Sequence, residues 1–253
     1  MPDFAPITAL LSRMSAPRLN ALFAQPPDRA ADWVHVTAAE GLPQAQVCYG
    51  RMLLEGTGRA KDPAAALDWF RRAAARGDID AHNMVGRCLD NGWGTPEDPH
   101  AAVEQFARAA AAGHAWAQYN LGHMYLDGRG VARDPVLAYG WYLKSAEQGH
   151  ERAMNLVGRC CEEGWGTPRD GAVAQDWYRR SAEAGYFRGQ FNWASVLLSA
   201  GRGEEAAAWF ERAVTDSPST LRPTMREAVR MALARAGSRG VLSDLATRLT
   251  AAG

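Results

Sequence analysis

Apolar positions in this chain repeat on two scales. Within a segment they fall at helical spacing, and the segments themselves recur every 36 residues. The third unit shows the short scale most cleanly. Ala117, Leu121, Met124 and Tyr125 lie on one stripe, which predicts a helix. Gly128 stops it, because glycine accepts the left-handed conformation beyond a last helical turn. Asp134 then caps a second helix and Pro135 fits its first position. That helix carries Ala138, Trp141, Tyr142, Ser145 and Ala146 and ends in a turn at Gly149. The same stop and start recur at Gly56 with Asp62-Pro63 and at Gly92 with Asp98-Pro99; at Gly164 the restart is Asp170-Gly171. The predicted unit is helix A, a short loop, helix B and a glycine turn.

Glycine fixes the long scale. Gly50, Gly86, Gly122 and Gly158 form one column inside helix A; Gly77, Gly113, Gly149 and Gly185 form another at the turn. A period in this range is the signature of a stacked repeat array. A glycine inside a helix costs about 1 kcal/mol against alanine. Close approach of helix B offsets that cost, with Ala66, Ala102, Ala138 and Ala174 as the expected facing positions. Trp69 and Phe70, Phe106, Trp141 and Tyr142, and Trp177 and Tyr178 then fill the space alongside.

The array has edges. Trp33 and Gly41 match Trp69 and Gly77 in register, so residues 1–42 read as N-terminal helices and a half-repeat cap. Four units follow over 43–185, at 43–78, 79–114, 115–150 and 151–186. Residues 187–216 form a degenerate fifth unit, with Ala194 in the glycine column and a loop shortened by four residues. Residues 217–253 read as two capping helices, about 221–236 and 241–251, over the last stacking face.

These residues resemble Sel1-like repeats, a branch of the tetratricopeptide superfamily. That family's unit reads A-x-Y-N-L-G-x-x-Y, G-x-G-V, D, then K-A-x-x-W-Y-x-K-A-A-x-x-G. Ala117 to Tyr125, Gly128 to Val131, Asp134 and Ala138 to Gly149 follow it. The resemblance implies an all-α, right-handed α/α solenoid that binds a protein or peptide, as adaptor or scaffold. Helix A would line the concave groove. Some relatives are described as β-lactamase-like, which makes a hydrolase the alternative function. This chain lacks their paired cysteines and any Ser-x-x-Lys, its only lysines being Lys61 and Lys144. A self-assembling scaffold is a further alternative, with a monomer favoured over it.

Composition narrows the partners. The 28 basic and 28 acidic residues cancel, so nothing points to nucleic acid or an anionic membrane. The stretch with Arg222, Arg226, Arg230, Arg235, Arg239 and Arg248 is locally basic, a solvated face or a site for an acidic partner. No apolar run is long enough to span a membrane. Asp3 and Pro6 disfavour a secretory signal, so a cytoplasmic location is expected, and the Ala-, Arg- and Gly-rich composition suggests a bacterial source. Cys48, Cys88, Cys160 and Cys161 read as buried small residues rather than a disulfide frame.

No catalytic, cofactor or metal constellation emerges. His114 and His150 share a column, but stacked helices are about 8–10 Å apart, too far for common ligation. The glycine pairs in the loops are too short for a dinucleotide fingerprint. Candidate chemistry therefore sits on helix A, in the columns two residues before and one after the Leu-Gly step. The partner-binding candidates are Asn83, Arg87, Tyr119, His123, Asn155, Arg159 and Phe191. Asparagine can serve a peptide backbone as donor and acceptor, and arginine can grip a carboxylate. The second and fourth units are more alike than neighbours are. Val85 to Cys88 returns at Val157 to Cys160, and Gly92 to Pro96 at Gly164 to Pro168, a weaker period of 72. Trp93 and Trp165, within these copies, are expected as exposed loop anchors, the competing reading being that each indole packs down on its own loop and rigidifies it.

Overall fold

The protein is described from a computed structural model covering residues 27–237 and 240–251. The helices expected before residue 27, and Arg239, lie outside the described residues. The chain is an all-α solenoid of tandem helix-turn-helix repeats, and it divides after Arg133 into two compact units. The first holds α1 (Pro27–Ala39), α2 (Pro43–Glu55), α3 (Pro63–Ala74), α4 (Ile79–Asn91), α5 (Pro99–Ala111) and α6 (Ala115–Asp127). The second holds α7 (Pro135–Glu147), α8 (Glu151–Glu163), α9 (Gly171–Glu183), α10 (Phe187–Ser199), α11 (Gly203–Asp216), α12 (Arg222–Arg235) and α13 (Val241–Ala251). Within each unit, consecutive helices pack on one another.

The local signals work as their chemistry requires. Gly56, Gly92, Gly128 and Gly164 end their helices in the left-handed conformation. Asp62, Asp98, Asp134 and Asp170 each accept a backbone N–H of the following helix at 2.9–3.0 Å. The second glycine of each loop, at Gly94, Gly130 and Gly166, has φ of 66–74°. A Cβ there would strike the carbonyl of Pro63, Pro99 or Pro135. Each loop thus lies directly on the start of the preceding B helix.

The glycine column inside helix A lies closest to aromatic rings; of the expected alanines, Ala174 is also met, its carbonyl oxygen 3.2 Å from a Cβ on Gly158. A Cβ on Gly50 would come 2.5 Å from the Phe70 ring; on Gly86, 2.7 Å from Phe106; on Gly158, 2.7 Å from Tyr178. Ala66, Ala102 and Ala174 are buried nearby, but the gap left by each glycine is filled by an aromatic ring. The reason is volume: an absent side chain leaves room for a ring, and a ring buries far more apolar area than a methyl. The second unit closes on a different core. Leu197, Phe210, Val229, Leu233 and Leu245 cluster there, so α12 and α13 cover the end of the array with apolar side chains.

Substituting the column should therefore destabilise by overpacking. Gly86→Leu or Gly158→Leu should cost about 1–3 kcal/mol, read as a lower midpoint in urea or thermal unfolding. Gly140, inside α7 with nothing within 4 Å of its missing Cβ, should respond in the opposite sense. Gly140→Ala should gain about 0.5–1 kcal/mol. Equal responses at the two kinds of site would contradict the packing account.

Candidate functional site

The two helix-A columns do not form a uniform polar face. Asn83 and Asn155 were expected at the surface, yet each is only 4% exposed. Asn120 Nδ2 donates to Asn83 Oδ1 at 2.9 Å, and Asn192 Nδ2 donates to Asn155 Oδ1 at 2.8 Å. Each contact joins helix A of one repeat to helix A of the next. The column points at the neighbouring A helix rather than at solvent, and a buried amide there needs a partner. Asn120 and Asn192, which pattern reading passed over, are those partners. Their signal was in the sequence, since they stand 72 residues apart.

The arginine column is engaged as well. In the first repeat, Arg51 donates to Asp80 at 2.7 Å. Asp80 also faces His114 Nε2 at 3.5 Å. The His114 hydrogen bond, reinforced by the Arg51 charge, holds the Asp80 carboxyl below its ordinary range against the opposing effect of burial. In the second repeat, the Arg87 guanidinium lies over the Trp93 ring, 5.1 Å from its centroid. In the fourth, Arg159 lies over Trp165 at 4.8 Å. The expected loop anchors are thus half-buried rather than projecting. The backbone N–H groups of Trp93 and Trp165 donate to the carbonyls of Cys88 and Cys160 at 2.9 and 3.0 Å. This bond folds the loop back over the last turn of helix A, carrying the indole onto the arginine. Each pair presents a flat cationic-aromatic surface, with Arg159 exposed and Arg87 half-buried. The third repeat has Arg129 in place of the tryptophan, and it reaches Asp90 of the second repeat at 2.9 Å.

Tyr119 and His123 are half-buried on α6, edge to face with centroids 4.6 Å apart. Burial pushes the His123 imidazole below its ordinary value, partly opposed by Asp127, so this ring is neutral at neutral pH. Phe191 packs on Phe210 at 5.5 Å and lines a cavity of about 730 Å³ between α10 and α12. The shared histidine column is a capping column. His114 Nδ1 accepts from Ala117 N–H at 3.1 Å and His150 Nδ1 from Ala153 N–H at 3.2 Å, as Asp78 does from Ala81. Among the described residues, no group of three His, Cys, Asp or Glu could hold a metal ion.

The four cysteines are free thiols, and Cys48 is exposed, unlike the other three. Cys48 lies on the polar side of α2, where helical spacing places it off the buried stripe of Gln46, Tyr49, Gly50 and Leu53. Burial pushes the Cys88 thiol up to about 11 and the Cys160 thiol up to about 12. Both are protonated and enclosed at neutral pH, so neither is a nucleophile there.

The profile of the Sel1 repeat family matches residues 43–78, 79–114, 117–150, 151–186 and 189–216, well over half of the chain. No curated protein matches. Among solved structures, a protective antigen of uropathogenic Escherichia coli displaying an SLR fold is 27% identical, with a TM-score of 0.69 over 89% of this chain and 50% of that one. The chain therefore spans about half the length of that protein. A Sel1 repeat protein from Oxalobacter formigenes is 30% identical, with a TM-score of 0.68 over 74% of this chain and 76% of its own. An immunity protein from Pseudomonas aeruginosa shares the fold alone, at 16% identity and a TM-score of 0.51 over 83% of this chain and 80% of that one.

Two outcomes check the geometry. Asn120→Leu leaves the buried Asn83 carbonyl oxygen without its donor and should cost about 1–3 kcal/mol, whereas the double variant Asn83→Leu/Asn120→Leu should recover part of that loss. A double-mutant cycle in urea measures it, and strict additivity would contradict the clamp. For the thiols, the aromatic disulfide reagent DTNB at pH 8 should modify Cys48 alone, and all four only after unfolding. Their raised values also set a sign for stability. The folded chain keeps thiol protons that the unfolded chain releases from about pH 8.5. Stability should therefore be untouched by these groups below that pH and fall as pH climbs toward 11–12.

Proposed function

This chain belongs to the Sel1 repeat family of non-enzymatic repeat scaffolds, and from that premise we propose that it captures a protein segment on the faces of its A helices. In the first unit the contacts are Arg87 on Trp93, with Tyr119 and His123; in the second they are Arg159 on Trp165, with Phe191. The observation that carries this reading is the pairing of each helix-A arginine with a loop tryptophan at 4.8–5.1 Å. A guanidinium braced on an indole loses less freedom on binding than a free one, and arginine and tryptophan are the side chains that dominate interface energies. Asn83 and Asn155, also proposed as contacts from the sequence, act instead through the clamp that sets the spacing of these faces.

The partner is a protein or peptide. No helix among the described residues is long and apolar enough to cross a membrane. The hydrolase alternative draws no support from the family or the fold, since helices are the regular elements found among the described residues. A cytoplasmic setting fits this reading.

Immobilised protein should recover its partner from a cell extract of the source organism, identified by mass spectrometry. Arg87→Glu/Arg159→Glu should lower that recovery at least about tenfold, the loss expected for one or two charge-assisted contacts, with helicity unchanged by circular dichroism. Undiminished recovery would falsify the assignment of these faces. A concentration-dependent rise in mass by light scattering would favour self-assembly instead.

A further inference from the structure

The basic character of α12 is not absorbed by the A-helix faces, and the cavity it borders is open. Two helical stripes confront each other across it. From α10 come Phe191, Ser195, Leu198 and Ser199; from α12 come Met231 and Arg235, separated by small alanines. Helix α12 turns its Val229 and Leu233 into the core, leaving Met231 49% exposed on the side of the cavity. The cavity volume of about 730 Å³ is the size of a ligand pocket rather than a packing defect.

We infer that this groove docks an acidic, apolar-studded segment of a partner protein. Charge complementarity selects the occupant. Among the described residues, Arg235 is the single charged side chain lining the cavity, and no carboxylate lines it. Two of the other arginines of α12 are committed elsewhere: Arg230 pairs with Glu227 at 2.9 Å, and Arg222 donates to the Thr215 carbonyl at 3.3 Å. Arg235, in the last turn of α12, makes no ion pair among the described residues. An incoming carboxylate completes that site. The hydroxyls of Ser195 and Ser199 donate to the carbonyls of Phe191 and Ser195 at 2.9 and 3.0 Å. Their oxygens remain acceptors toward the groove, suited to the backbone N–H groups of a bound segment. Phe191, Leu198 and Met231 supply the apolar floor for one or two of its side chains. The inference rests on the reading that the A-helix face holds a partner segment, and it adds that segment's chemistry at the C-terminal end.

The test uses fluorescein-labelled twelve-residue peptides in which Asp and Glu alternate with Leu and Phe, alongside the same peptides with Asn and Gln replacing the acids. Fluorescence anisotropy with the full chain should show saturable binding of the acidic peptide and binding about tenfold weaker for its amide counterpart. Arg235→Glu should weaken the acidic peptide by a similar factor and leave the amide peptide unchanged. Met231→Glu should weaken both. Equal affinity for the two peptides, no saturable binding of either, or no effect of Arg235→Glu overturns the inference. So does a dimer, seen by analytical ultracentrifugation, that Met231→Glu abolishes, because a second copy would then be the occupant. If recovery from extract is lost in Arg87→Glu/Arg159→Glu but kept in Arg235→Glu, the A-helix reading stands and this one falls.

Discussion

One contact governs the repeat: an aromatic ring of helix B seated in the gap where helix A has a glycine. Phe70 on Gly50, Phe106 on Gly86 and Tyr178 on Gly158 each occupy the space a Cβ would take. That contact sets how closely the two helices approach and hence the angle at which the next pair starts. The rest of the unit follows from it. The loop after helix A must be tight, so its second glycine lies on the preceding B helix. The aspartate that restarts the chain caps a helix whose position the ring has already fixed. The fifth repeat escapes the rule with a fully buried Ala194 and a shorter loop, where the packing gives way to the closing cluster around Phe210.

The period of 72 has a physical content beyond duplication. The second and fourth repeats carry the asparagine that accepts, and the third and fifth carry the one that donates. The same two even repeats carry the arginine–tryptophan pairs. The odd repeats instead carry buried glutamines: Gln46 and Gln118 bond the carbonyls of Ala38 and Ala110 at the end of the preceding helix. Adjacent repeats are therefore complementary rather than equivalent. A polar ladder of this kind specifies which repeat follows which, because a slip by one repeat would set buried amides against Val47, Tyr119 or Phe191.

Helix boundaries, caps, turn glycines and the repeat length were legible in the chain because each depends on residues only a few positions apart. The left-handed Gly128 and the capping Asp134 need no distant partner to be recognised. The candidate site was legible only in part. Arg87 and Trp93 both stood out in the sequence, but as members of different features, a groove and a loop. Their union at 5.1 Å depends on the loop folding back over its helix. Asn83 reads as an exposed groove contact because periodicity places it beside the buried stripe. Periodicity along one helix says nothing about the helix stacked against it.

The sequence by itself determined the unit, its period and its family, since glycine, proline and the Asp caps act through local backbone geometry and recur in register. Only the tertiary structure decided what each column faces. Whether a glycine admits an alanine or a ring, whether an asparagine meets water or another amide, and whether Phe191 closes the core or opens a groove beside Arg235 are set by contacts between residues far apart in the chain. Those contacts arise from filling volume and satisfying buried polar groups, and neither constraint is written in the spacing of a single helix.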